Sequence, residues 1–227
     1  MLFTFWEGPQ PEYIALCLQT WKIPYTVLNY DNVSEYTDLP LDNIRRFSLP
    51  QIADIVRVHV LRDNGGYWLD ADTIMLEDRL PSEATILGDP GTRVNTCGYL
   101  HTEAGSQMFN DWADYQDHII EGPATSRYWA TFGNSFTDPY LQEHKEIEIA
   151  PVWDCWPEVY MITDERLRMY KYPEFYFNSS YTLHDINHTP MLMLHNSWTP
   201  RWYKGMDAVQ VLQYDCTLSN FLREALE

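Results

Sequence analysis

Positive charge is what this chain has least of. Fifteen Lys and Arg stand against 33 Asp and Glu, a formal net charge of −18. Nucleic-acid binding draws on Lys and Arg to meet phosphates, and attachment to anionic lipid surfaces does the same; both are disfavoured. Long apolar runs are missing too, so no membrane-spanning helix is expected. Met1 runs straight into the strand-like LFTFW, without a basic segment ahead of an apolar one, so no secretory signal is expected either. Cysteine is sparse. Cys17, Cys97, Cys155 and Cys216 are scattered without a C-x-x-C pair, and are expected to be reduced core thiols in a cytoplasmic protein. Repeats, low-complexity tracts and linkers are also lacking. Residues 1–227 therefore read as one domain, complete in itself or part of a longer natural chain.

Apolar and aromatic mass is abundant. Hydrophobic residues make up 45% of the chain and aromatics 15%, ample for a packed core. Leu2 to Trp6 reads as a strand, broken by Glu7-Gly8-Pro9. Tyr13, Leu16, Cys17 and Trp21 recur at helical spacing, and Tyr25 to Leu28 is a second strand. A strand–helix–strand opening implies a parallel pair, and in such α/β sheets ligands gather at the carboxyl ends of the strands. Trp6 stands at one such end.

The most informative stretch is Gln51 to Leu76, QIADIVRVHVLRDNGGYWLDADTIML. Ile52, Ile55, Val56, Val60 and Leu61 form an apolar stripe at helical spacing, with Pro50 where a first-turn proline is tolerated. Gly65 and Gly66 stop the helix. Tyr67, Trp68 and Leu69 begin a strand. Asp70 and Asp72 point the same way if that strand continues through them, and paired carboxylates there form a hard oxygen site for Mg²⁺ or Mn²⁺. Asp54 and Arg57 lie one helical turn apart and share a face. An acid and a base beside such a strand end suit a polyhydroxylated, anionic ligand; the alternative is a solvated surface ion pair.

The pattern Ala53-Asp54-x-x-Arg57-x-x-x-Leu61-x-x-x-Gly65-Gly66-x-Trp68-x-Asp70-x-Asp72 resembles the core signature of DXD glycosyltransferases of the GT-A fold. It is similar in particular to capsular-polysaccharide and Och1-like sugar transferases and to the large clostridial glucosylating toxins. Virus-encoded capsid glycosyltransferases share the look of it, which would put the protein in a host cytoplasm. The resemblance implies an α/β, GT-A-like fold with a mostly parallel central sheet flanked by helices. It implies a metal-dependent transferase, hexosyltransferase-like and retaining, that moves a sugar from a UDP-sugar to a glycan or glycoprotein acceptor. It further implies that Trp6 stacks on the base and that Asp72 and His195 hold Mn²⁺ or Mg²⁺. Asp70 would join the metal or bind the ribose. Ser197 and Trp198, in the run His195-Asn196-Ser197-Trp198, would contact the metal and diphosphate. Asp54 and Arg57, with Tyr67 close by in sequence, would meet sugar hydroxyls. A divalent cation also fits the charge balance, since it reverses the local sign for an anionic donor approaching an acidic protein.

Farther along, Val94 to Leu100 reads as a strand and Gly105 to His118 as a helix. Tyr128, Trp129 and Phe132 either line an acceptor groove or pack in the core. Asn134 and Asp138 are read as two helix caps and as candidates for a role near the anomeric carbon. Ile147 to Ala150 and Met191 to His195 are short strands. Trp153 to Pro157 and Tyr170 to Tyr176 read as loop and edge structure, and Thr217 to Glu227 as an amphipathic helix. Two rival functions share these residues: a metal-dependent hydrolase of nucleotide sugars, and a non-catalytic carbohydrate-binding domain.

Overall fold

The computed structural model describes residues 1–80, 83–123, 128–151, 155–156, 165–186 and 188–227, with the backbone alone over 165–170. In chain order the described elements begin with β1 (Leu2–Phe5), α1 (Glu12–Gln19), β2 (Tyr25–Leu28), α2 (Leu41–Ile44) and α3 (Leu49–Asn64). They continue with β3 (Gly66–Leu69), β4 (Thr73–Met75), β5 (Ile86–Gly88), β6 (Asn95–Thr102), α4 (Gln107–Glu121), α5 (Asn134–Glu143) and β7 (Ile149–Pro151). Last come α6 (Glu165–Phe177), β8 (Met191–Met193), α7 (Arg201–Lys204), α8 (Ala208–Gln213) and α9 (Thr217–Leu226). No helix among the described residues is long and apolar enough to cross a membrane. All four cysteines are buried and free.

The chain divides into two compact units. One comprises Met1–Gly8, Pro24–Asp70 and Ser82–Pro151; the other comprises Pro9–Ile23, Ala71–Pro81 and Val152–Glu227. Neither is a continuous stretch, so no linker or shift in composition marks the division in the sequence.

The first unit holds a six-stranded sheet in the order β2-β1-β3-β6-β5-β7. β1 pairs in parallel with β2 and β3, β5 pairs in parallel with β7, and β6 runs antiparallel to both β3 and β5. Five strands therefore share one direction, and the expected α/β architecture with a mostly parallel sheet flanked by helices is what the chain adopts. α3 forms where the apolar stripe places it. Its start is fixed by a capping box, in which Ser48 and Gln51 satisfy each other's backbone N–H, a device that saturates donors otherwise orphaned at a helix start. Ile52, Ile55, Val56, Val60 and Leu61 are buried in one core with Phe3, Trp68, Leu100, Phe109 and Trp112. Each such aliphatic side chain contributes about 2 kcal/mol by leaving water. α4 packs along α3, and the middle of α3 is buried on its polar side too, His59 facing Asp117 of α4 and Arg57 facing β3 and β6.

The second unit is built on the antiparallel pair β4–β8 and on α1, α6 and α9, with Tyr13, Cys17, Tyr172, Tyr176, Tyr203 and Phe221 fully buried. Three sequence expectations are corrected here and in the first unit. Tyr170 to Tyr176 is part of α6, which runs through Pro173. An internal proline costs a helix about 3 kcal/mol, offset by the burial of Tyr172, Phe175, Tyr176 and Phe177 around it. Neither Asn134 nor Asp138 is a cap: Gly133 stands at the N-cap of α5, which starts at Asn134 and continues through Asp138 and Pro139. Finally, β3 ends at Leu69 and the chain turns at residues 71–72. The alternation that would have aimed Asp70 and Asp72 alike therefore does not extend that far. The expected loop at Trp153 to Pro157 lies largely outside the described residues.

Candidate functional site

β1 and β3 are adjacent and parallel, in the register Leu2↔Tyr67 and Phe3↔Trp68. They leave the sheet at the same edge, β1 leading into Trp6 and β3 into Asp70. Trp6 is half-buried, and its indole N–H is buried with no hydrogen-bond partner among the described residues. A buried tryptophan N–H normally has one, so the group stands ready for an acceptor on a ligand.

Beside that edge, Arg57 gathers two carboxylates. Its Nη2 lies 2.9 Å from Asp54 Oδ1 and 3.1 Å from Asp70 Oδ1. Nη1 donates to the Cys97 carbonyl, and Nε donates to the Ala53 carbonyl at 3.4 Å. The guanidinium carbon sits 5.2 Å from the centre of the Trp68 ring, and the Trp68 indole N–H donates to Asp70 Oδ1 at 2.8 Å. The i,i+3 pair is therefore no surface ion pair, since the Arg57 side chain is 6% exposed and Asp54's 18%. Asp70, at 35%, reaches solvent. Nη2 meets both carboxylates while Nη1 and Nε anchor the guanidinium plane to backbone carbonyls, a set of donors in fixed directions that a point charge does not supply. With Nε, Nη1 and Nη2 all engaged within the protein, Arg57 orients carboxylates more than it offers donors outward.

Burial drives the Asp54 carboxyl up from 3.8 to about 6; Arg57 opposes the rise and Asp70 adds to it. The raised value means the folded state holds this proton more tightly than the unfolded chain does. The stability Asp54 contributes is complete below about pH 4 and is lost as pH rises through about 6, on the order of 3 kcal/mol. A carboxyl-detected NMR titration should place Asp54 near 6. Any activity that needs its ionised form should rise through that pH; a midpoint near 4 would mean that the carboxylate is solvated.

Tyr67 does not join this cluster. Alternation along β3 puts it on the opposite face from Trp68, where its ring stacks on its cross-strand partner His101, with centroids 4.1 Å apart. Asn134 and Asp138 tie α5 to β6. Asn134 Nδ2 donates to the Asn95 carbonyl at 3.0 Å, and Asn95 Nδ2 donates to Asp138 Oδ1 at 2.7 Å. That strand also carries Cys97, whose carbonyl holds Arg57, while burial pushes the Cys97 thiol up to about 12. Gly133, just before α5, lies against Asp54: a Cβ there would sit 3.9 Å from Asp54 Oδ2 and 3.3 Å from Cys97 Sγ. Asn95, Cys97, Gln116 and Gly133 carried no local sequence signal. They matter because pairing and helix packing bring them to Arg57 and Asp54.

In the second unit, Asp72 Oδ2 accepts the backbone N–H of Asn196 at 2.6 Å, and the Leu194 N–H donates to the Asp72 carbonyl at 3.0 Å. The Tyr13 hydroxyl donates to Asn196 Oδ1, and burial, then Asp72, pushes that phenol far above its ordinary value. His195 precedes a single turn, Asn196–Trp198. Its ring lies 4.0 Å from Trp198 and within 5.6 Å of both Tyr172 and Trp156. Ser197 is exposed. For a divalent metal, the donor chemistry fits one arrangement and not another. No group of three or more His, Cys, Asp or Glu among the described residues is placed to hold an ion, which does not suit an all-protein cage. A hard carboxylate such as Asp72 does suit Mg²⁺ or Mn²⁺ that take most of their ligands from water and phosphate.

These features define an α/β protein with a guanidinium-held carboxylate pair at the carboxyl edge of a mostly parallel sheet. The sequence model described as capsular polysaccharide synthesis protein matches residues 3–148, well over half of the chain, and the protein belongs to that family. The match takes in Trp6, Asp54, Arg57, Tyr67, Asp70, Asp72, Asn134 and Asp138, while His195, Ser197 and Trp198 lie beyond it. Among solved structures, PaToxG glycosyltransferase is similar over 63% of this chain and 67% of its own, at 15% identity and a TM-score of 0.40. No curated protein matches the sequence.

Proposed function

We propose that this protein is a glycosyltransferase that moves a hexose from a nucleotide sugar, a UDP-sugar as its resemblance to DXD transferases implies, to a glycan or glycoprotein acceptor with retention of configuration. The observation that supports this most is the pair Asp54 and Asp70, held by Arg57 at the edge where β1 and β3 end. Carboxylates are acceptors with several lone pairs, and two of them fixed in place match the hydroxyls of a sugar or ribose. Trp6 presents an aromatic face and an unpartnered N–H to a base. Membership of the capsular polysaccharide synthesis family agrees with sugar chemistry. In this reading Arg57 acts on the sugar through the two carboxylates, fixing their geometry so that the anomeric carbon is held for attack. Asn134 and Asp138 act by fixing α5.

Asp72 would supply the protein's share of a divalent cation, with His195 as its second ligand and Ser197 and Trp198 as contacts to the diphosphate. When bound, such an ion stabilises the charge that develops on the departing nucleotide. Asp72→Asn keeps the size and removes the charge. Affinity for UDP in Mn²⁺ should fall at least about tenfold, and affinity in EDTA should hardly change. Equal Mn²⁺-dependent binding by variant and wild type removes Asp72 from the metal. The function itself is tested by incubating the protein with labelled UDP-sugars, Mn²⁺ and mixed acceptors. Transfer supports the reading. Free sugar alone replaces it with a hydrolase, and binding without turnover replaces it with a carbohydrate-binding domain.

A further inference from the structure

We propose that Tyr128 and Trp129 form the platform on which the acceptor lies, and that this acceptor is an uncharged saccharide. The inference rests on the glycosyl-transfer reading. Of the three aromatics in this segment, Phe132 is fully buried, whereas Tyr128 is 59% and Trp129 71% exposed. Their rings stand 6.0 Å apart at 53°. Large aromatic faces left in water side by side mark a contact surface, and their chemistry suits a partner with an apolar face and a polar rim. A pyranose has that form: axial C–H bonds on its faces, hydroxyls around its edge.

The two rings sit on a fixed turn. The Tyr128 carbonyl accepts the Thr131 hydroxyl at 2.8 Å, the Thr131 N–H at 3.2 Å and Gln51 Nε2 at 3.3 Å. Farther along the same segment, the Phe132 carbonyl accepts Trp112 Nε1 at 2.9 Å and Gln116 Nε2 at 2.7 Å. Gln116 Nε2 also reaches the Asp54 carbonyl at 3.0 Å. One buried amide thus couples the segment that carries the platform to the helix that carries Asp54. A backbone held this way need not be ordered when a ligand stacks on the rings it carries. The charge of −18 sets the class of acceptor, because a polyanionic glycan would be repelled over the approach that ionic screening leaves open.

The test measures calorimetric binding of neutral glucose, mannose and galactose hexasaccharides and of a hyaluronan hexasaccharide, beside binding of UDP. Wild type, Trp129→Ala, Trp129→Phe and Tyr128→Ala are compared. At least one neutral hexasaccharide should bind wild type. Trp129→Ala should weaken it about tenfold or more, as loss of an aromatic anchor does, and Trp129→Phe should restore most of it. Both residues are exposed, so thermal midpoints and UDP affinity should not move. Failure of every hexasaccharide to bind wild type, or undiminished binding by both alanine variants, overturns the platform. Tighter binding of the hyaluronan fragment than of any neutral one overturns the uncharged acceptor. A change of oligomeric state in Trp129→Ala would assign the surface to a second copy instead. Saccharide binding that depends on Trp129, without transfer from any UDP-sugar, leaves the platform standing and removes the transferase.

Discussion

Arg57→Lys is expected to lower sugar transfer by about a hundredfold, the penalty for misplacing reacting groups by about 1 Å, while affinity for UDP stays near that of the wild type. Lysine keeps the charge. It lacks the rigid plane of donors in which Nη2 meets Asp54 and Asp70 while Nη1 and Nε are anchored on the Cys97 and Ala53 carbonyls. One carboxylate would keep a partner and the other would turn to solvent. UDP has no transferred sugar, so its binding does not depend on that geometry. A structural role alone would also lower activity, so two further readouts are needed. Arg57 holds down the Asp54 carboxyl; without its guanidinium in place, the Asp54 titration should move above about 6. Asp54→Asn should mimic Arg57→Lys, and the double variant should lose less than the sum, as residues acting through one contact do. Wild-type transfer by Arg57→Lys, or additive losses in that cycle, would remove the pair from the donor site. Arg57→Ala is a harsher change. It strands two carboxylates, and breaking a buried pair costs about 3–5 kcal/mol, here toward the low end because Asp70 reaches solvent.

How far the sequence foretold this arrangement differs from residue to residue. The apolar stripe of α3, its glycine stop and the strand after it follow from local periodicity and turn chemistry, and their boundaries are nearly right. The first two strands are equally legible, for the same reason. β4 and β5 are not read from the sequence, although β7 and β8, of the same three-residue length, are. The capping box at Ser48 and Gln51 was readable as S-x-x-Q and passed over. Burial of Arg57 is not readable from its helix, which looks amphipathic: it is enclosed by Trp68 and Asp70 at the end of β3 and by the Cys97 carbonyl of β6. Tyr67 was placed by nearness in sequence, where strand alternation argues for the other face. The exposure of Trp129 beside the burial of Phe132 has no signature in composition, since either ring would serve a core.

Gly66→Ala is expected to cost about 4 kcal/mol, the sum of strain at a glycine-only backbone conformation and of overpacking against fixed atoms. Gly66 has φ +93°, and a Cβ there would lie 2.4 Å from the Met1 carbonyl oxygen, which is backbone and cannot rotate away. The next residue's N–H donates to that same oxygen at 2.8 Å, so relief by shifting β1 breaks the first bond between β1 and β3. Gly8→Ala is the matched control. Its φ is +82°, but a Cβ there meets nothing within 4 Å, so only the strain of about 1 kcal/mol remains. Urea unfolding of both variants separates the two contributions: the midpoint should fall far more for Gly66→Ala, with unchanged slope. Because β1 leads into Trp6 and β3 into Asp70, the folded fraction of Gly66→Ala should also bind UDP-sugar more weakly than Gly8→Ala does. Equal midpoints for the two variants would mean that β1 yields to the added methyl without cost, and that the edge presenting Trp6 and Asp70 is not held by this close approach.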